Sequence, residues 1–162
     1  MWRLFRNKQG YLYPFWGYLI ARLYGPFLGA GIRVQKAAPD YRYMRVEMPL
    51  TWYNRNYVGT QFGGSIYAMT DPFYMLMLIQ NLGLKYIVWD KGANIDFIKP
   101  GRKRLVVEFR WTEAEIEDIR QRTESGEKYV FDREVLVHDT DGLLVARVIK
   151  TLYVRKKEAV AK

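Results

Sequence analysis

The chain has 162 residues, a length suited to one domain with a sizeable core, and 49% of them are apolar, which argues against disorder. It has no cysteine and a single histidine, His138, which rules out disulfides, zinc–thiolate sites, cysteine nucleophiles and His-rich metal sites, and disfavours a histidine triad. The net charge of +9 suits nucleic acid, an anionic membrane, a polyphosphate carrier or simply a solvated basic surface, but no nucleic-acid-binding motif is present. The lack of cysteine fits a reducing compartment, so the expected location is cytoplasmic.

In chain order, residues 1–30 form an aromatic and basic extension, with Trp2, Phe5, Tyr11, Tyr13, Phe15, Trp16 and Tyr18 among Arg3, Arg6 and Lys8. Arg22 divides the apolar part, which is too short for the ~20 residues of a membrane span. It is too aromatic for the usual signal peptide. The favoured reading is a helix from about Pro14 to Leu23 docked on the domain; a peripheral membrane-binding helix and a cleaved signal are the alternatives. Gly29-Ala30-Gly31 is read as a break before a single domain over residues 31–162. Ile32–Ala37 and Tyr41–Met48 alternate apolar and polar, as two antiparallel strands do. Pro49 to Gln61 is a long loop of the kind that commonly carries function.

The next stretch organises the chain: Asn56-Tyr57-Val58-Gly59-Thr60-Gln61-Phe62-Gly63-Gly64, then an apolar run to Leu82 read as a buried central helix ending near Gly83. Asp71 interrupts that run, with no neighbouring base in the sequence, so it is expected to be hydrogen-bonded or functional. Pro72 removes one helical N–H and bends the helix, either to aim Asp71 or to follow the sheet. Met69, Phe73, Met75 and Met77 read most simply as core. Four strands follow. Tyr86–Ile98 is long, with an irregularity at Lys91-Gly92; Leu105–Trp111 is the second; Tyr129–Val137 and Leu143–Val154 are joined by an Asp-Gly hairpin containing Asp141-Gly142. Between them Thr112-Glu113-Ala114-Glu115 starts a short acidic helix running to about Thr123. His138 reads as a hairpin-end residue. The fold class is therefore α+β, an antiparallel sheet around one central helix with an extra N-terminal helix.

Gly59-Thr60-Gln61-Phe62-Gly63-Gly64 with Asp71 nine positions after Phe62 resembles the signature of hotdog-fold acyl-CoA thioesterases of the phenylacetyl-CoA thioesterase type. Tyr57–Phe73, Val88-Trp89-Asp90-Lys91 and Phe97-Ile98-Lys99-Pro100-Gly101 are similar to a subfamily catalogued as a domain of unknown function. The departure is Phe62, which stands where most relatives have histidine. The resemblance implies hydrolysis of an acyl thioester of CoA or acyl carrier protein in a homodimer or homotetramer, with no cofactor beyond the CoA of the substrate and no metal. It gives Asn56 an orienting role; turn formation within its own loop is the other reading.

The residues themselves allow the same chemistry. Asp71 would be base or nucleophile, and Gly64, at the helix start, the oxyanion donor. Gly64 and Asp71 would lie ~10 Å apart along an unbroken helix, which calls for a second protomer to complete the site. Thr60, Gln61, Phe62 and Gly63 would surround the substrate, and Lys99, Arg102, Lys103 and Arg104 would meet carrier phosphates. The alternative is a non-catalytic acyl-CoA or lipid-binding protein, with Phe62 marking lost chemistry. A hotdog dehydratase is disfavoured, since that chemistry relies on a histidine in the site.

Overall fold

The computed structural model describes residues 23–157. The elements are α1 (Gly25–Ala30), β1 (Arg33–Ala37), β2 (Tyr43–Met48), α2 (Gly63–Ala68), α3 (Phe73–Leu82), β3 (Tyr86–Phe97), β4 (Leu105–Arg110), α4 (Glu113–Arg122), β5 (Lys128–Asp139) and β6 (Leu144–Lys156). The strands form one antiparallel sheet in the order β1-β2-β4-β5-β6-β3, curved around the central helical segment. None of the described helices is long and apolar enough to cross a membrane. The expected helix from Pro14 lies outside the described residues apart from its last position, Leu23.

The break expected at Gly29-Ala30-Gly31 is narrower than the sequence suggests. Gly29 and Ala30 complete α1, and only Gly31 leaves the helix, at φ 76°. Its N–H reaches Leu28 O at 3.1 Å and that of Ile32 reaches Phe27 O at 2.8 Å, so a left-handed glycine closes the helix in the usual way. Phe27 is buried and stacks on Phe73, with ring centroids 5.7 Å apart, which ties α1 to the central helix.

The central helix is two helices. Met69 to Pro72 form a turn between α2 and α3. Pro72 has no N–H to offer the Ala68 carbonyl and disfavours helical geometry at Asp71. The buried Thr70 hydroxyl meanwhile donates to Tyr67 O at 2.8 Å. The proline therefore breaks the helix rather than bending it, and places the acid in the break. Beyond it, Phe73, Tyr74, Met77 and Leu78 are buried against the sheet, where Phe109 meets Phe73 at 5.0 Å and Tyr74 at 5.1 Å.

Strand alternation sets the core. Val135 and Val137 on β5, and Ala146, Val148, Leu152 and Val154 on β6, are all buried. Lys150 falls in the same series and is fully buried. β3 runs antiparallel to β6 along one edge of the sheet, and its register slips between Asp90 and Gly92, at the irregularity read from Lys91-Gly92. α4 carries the expected Thr112 cap: Oγ1 accepts from Glu115 N at 3.2 Å while Glu115 Oε2 accepts from Thr112 N at 2.8 Å.

Candidate active site

Asn56 is committed to its own loop. Its Oδ1 accepts from the N–H of Val58 (3.1 Å) and Thr60 (2.9 Å), and its Nδ2 donates to Thr60 Oγ1 (2.9 Å) and Gln61 O (3.3 Å). Of the two readings of Asn56, the turn-forming one describes its contacts. Thr60 and Gln61 are buried. Gln61 Nε2 donates to Met48 O at 3.1 Å and Lys103 O at 3.2 Å, and its N–H bonds Gly101 O at 2.8 Å. Gln61 thus fastens the loop to the end of β2 and to the segment after β3. Its Oε1 is buried without a hydrogen-bond partner among the described residues.

The loop delivers the glycine pair to the first turn of α2, where backbone N–H groups have no intrahelical acceptor. Both glycines are covered by rings. A Cβ on Gly63 would stand 2.9 Å from Phe97 Cζ, and one on Gly64 would stand 2.5 Å from Phe62 Cε1. Phe62 itself is 55% exposed, so its ring rests on the helix start from the solvent side. An open hollow of about 290 Å³ lies beside them, bounded by Asn56, Thr60, Gln61, Gly63, Ile66, Phe97 and Lys99. Of the basic segment, Lys99 lines this hollow, whereas Lys103 pairs with Asp141 and Arg104 with Glu47 at 3.0 Å. Arg102 is exposed, with no ion pair among the described residues. Asp71 is not among the residues of the hollow.

Asp71 is neither deeply buried nor unpaired, which corrects the picture of a lone acid in an apolar helix. Its side chain is 45% exposed, and its Oδ1 accepts from Lys150 Nζ at 2.7 Å. The same ammonium lies 3.4 Å from Asp90 Oδ2 and 5.3 Å from the centre of the Tyr67 ring. One cation, sealed on the core face of β6, therefore serves two carboxylates: Asp71 from the helix break and Asp90 from the bulged part of β3. Burial pushes the Asp90 carboxyl up, the Lys150 charge only partly opposing it, and Asp90 Oδ1 is buried with no hydrogen-bond partner among the described residues. Burial alone would lower the Lys150 ammonium, but the Asp71 bond and the two carboxylate charges outweigh it and hold the group above the usual lysine value. The Tyr67 phenol is raised, by burial first and then by the neighbouring Asp71 carboxylate.

Lys150, Asp90 and Tyr67 escaped the sequence reading, although a signal for Lys150 was present. Its position has the same parity on β6 as Val148, Leu152 and Val154, which puts a lysine on the core face. His138 stands at the far end of β5, on an open hollow shared with Arg45, Glu108 and Glu134, away from Asp71. Among the described residues, no three His, Asp or Glu side chains gather so as to hold a metal ion.

The two-layer arrangement, an antiparallel sheet wrapped around a central helical segment with a glycine pair at its start, is the hotdog fold. Over residues 17–154 the chain belongs to the family described as Domain of unknown function (DUF4442). Among solved structures it is similar to a Pseudomonas aeruginosa protein of unknown function named a probable thioesterase, with 18% identity, 90% of this chain and 97% of that one covered, and a TM-score of 0.81. A Haemophilus influenzae thioesterase is 13% identical over 90% of this chain and 92% of its own, with a TM-score of 0.62. A Chlorobaculum tepidum protein of unknown function is 15% identical over 86% and 92%, with a TM-score of 0.69. No curated protein matches the chain.

Proposed function

We propose that the protein hydrolyses an acyl thioester of CoA or acyl carrier protein. The observation that carries this reading is the Asp71 carboxylate, anchored on one oxygen by a fully buried lysine and open to solvent elsewhere, at the break in the central helix. Such a group is fixed in direction yet reachable by water, as a general base needs to be. Water attacks the thioester carbonyl carbon and gives a proton to Asp71. The oxyanion accepts a hydrogen bond from Gly64 N–H at the start of α2. The C–S bond then breaks, and the thiolate leaves with the proton returned from Asp71, giving a free acid and a free thiol. The names given to the Pseudomonas and Haemophilus proteins of the same fold support this chemistry.

Within one chain the Gly63 hollow does not include Asp71, so the reaction calls for a second protomer. Gly64 and Asp71 do not share one continuous helix, so the sheet rather than helical rise supports a second protomer. β3 is a 12-residue edge strand, and Trp89 and Phe97 on it and Ile98 just beyond are exposed, a combination that a monomer leaves as a liability. Two copies joined along β3 would bring Gly64 of one toward Asp71 of the other. A homodimer is the minimum unit, and a homotetramer two of these. Lys99, on the hollow, and Arg102 would meet carrier phosphates; Lys103 and Arg104 already hold acids.

The second reading is a binder of acyl-CoA or lipid without turnover. The Phe62 ring favours it, because it lies against Gly64 where a thioester carbonyl would have to approach. A thiol-release assay across acyl-CoA chain lengths, run on wild type and Asp71→Asn, separates the two. Hydrolysis predicts release by wild type and a loss of at least ~100-fold in the variant. Saturable binding with no thiol released establishes the binder, and equal rates in both proteins remove Asp71 from the chemistry.

A further inference from the structure

We propose that α1 and the first part of the loop after β2 form a docking surface for an anionic lipid bilayer. This goes beyond the hydrolytic reading and does not rest on it. The surface is built by one buried side chain, Asn54. Its Nδ2 donates to Ala30 O at 3.0 Å and Pro49 O at 2.7 Å, and its Oδ1 accepts from Thr51 N at 2.8 Å. These bonds fasten the loop to the end of α1 and leave its neighbours on the outside. Trp52 is 82% exposed, and its ring stands edge-on to that of Tyr53 at 5.6 Å. Tyr53 in turn borders a shallow hollow of about 310 Å³ with Leu28 and Arg33. The rings are thus continuous with the outer side of α1, where Leu28 is 54% exposed.

Exposed indole, phenol and aliphatic groups beside arginines are the composition of a protein face that settles at the headgroup level of a membrane. Arg33 and Arg55 are exposed and have no ion pair among the described residues. The sequence itself keeps acids away: residues 1–39 contain no Asp or Glu, nor do residues 49–70, although the chain has 17 of them. Glu47, the cross-strand neighbour of Arg33, is buried and already paired with Arg45 and Arg104, so the charge this face exposes is positive and complementary to an anionic surface. β1, which carries Arg33, stands at the edge of the sheet opposite β3.

The test is sedimentation of the full-length protein with vesicles of phosphatidylcholine alone and of phosphatidylcholine containing phosphatidylglycerol, at low and high salt. Binding is expected to the anionic vesicles, and weaker at high salt. Arg33→Gln with Arg55→Gln lowers the partition coefficient by about five-fold per arginine. Trp52→Ser with Leu28→Ser lowers it by about tenfold or more. Leu136→Ser, on the outer face of β5, leaves it unchanged. The arginine and Trp52/Leu28 variants alter exposed positions only, with circular dichroism as the check that they fold. Three results would overturn the proposal: unchanged binding in the Trp52/Leu28 and arginine variants, equal binding to neutral and anionic vesicles, or a fall in oligomer mass in these variants without lipid. The last would make the face a contact between copies of the chain.

Discussion

Lys150→Met is the perturbation that tests the buried ion cluster most directly. The ammonium has no exposure, and its nearest charged partners are Asp71 at 2.7 Å and Asp90 at 3.4 Å. Asp71 is closer but 45% exposed; Asp90 is farther but only 15% exposed. A unit-charge pair at the Asp90 distance is worth about 5 kcal/mol at an effective dielectric of about 20, and one at the Asp71 distance about 1.5 kcal/mol if screened nearly as in water. Asp90 therefore dominates the thermodynamics, while Asp71 gains mainly its fixed direction. Removing the lysine leaves Asp90 as an uncompensated buried charge, for which the expected loss is about 3–5 kcal/mol. Equilibrium urea unfolding measures it, with an unchanged m-value showing that the native state is retained. The decisive companion is Lys150→Met with Asp90→Leu, which removes the cation and the buried anion together. It is expected to return to within about 1.5 kcal/mol of wild type, because apolar replacements of buried pairs are commonly neutral. A single variant that costs under about 1 kcal/mol, or a double variant no more stable than the single, would refute this reasoning.

Other outcomes follow from the same geometry. Asn56→Ala loses the acceptor of two loop N–H groups and the donor to Thr60 Oγ1, and is expected to cost about 1–3 kcal/mol in denaturant unfolding; a neutral result would show that the loop holds without it. Gly64→Ala meets the Phe62 ring, which is half exposed and can swing outward, while alanine regains about 0.5–1 kcal/mol of helix propensity. Its stability is thus expected to stay near wild type while thiol release falls. The folded-state value of Lys150 lies above the usual 10.5, so its stabilisation is fully present below that pH and is lost as pH rises through the higher value. The stability gap between wild type and Lys150→Met should therefore close at strongly alkaline pH. Asp90 lies above the usual 3.8, chiefly through burial, so the folded state holds its proton more tightly and stability falls as pH rises from 3.8 through the raised value. Asp90→Asn should flatten that part of the pH–stability curve.

Most of the fold was legible because strands and caps are local. The alternation of Tyr43–Met48 and of β5 and β6, the Thr112 capping box, the Gly83 stop and the slip at Lys91-Gly92 each report a conformation that neighbouring residues decide. Gly31 shows the limit of such reading. A cluster of small residues looks like a break, yet Gly29 and Ala30 remain helical because Phe27 docks beneath Phe73 and Gly31 alone takes the left-handed turn. That contact joins residues 46 apart, and no window of sequence contains it.

The candidate site was half legible for the same reason. Pro72 announced an irregularity beside Asp71, but whether the helix bends or parts depends on competition for carbonyls, and Thr70 takes the Tyr67 oxygen. Once the helix parts, Asp71 faces the sheet from a turn, and the residue waiting there is Lys150, 79 positions away. Parity along β6 placed a lysine on the core face, and a buried lysine demands an anion. Two apparent anomalies, an acid in an apolar helix and a lysine in an apolar strand, are thus explained by one pairing. Asp90 completes it from the other side, delivered inward next to the bulge. The break in the helix, the bulge in β3 and the lysine in β6 therefore form one construction, whose most exposed member is Asp71.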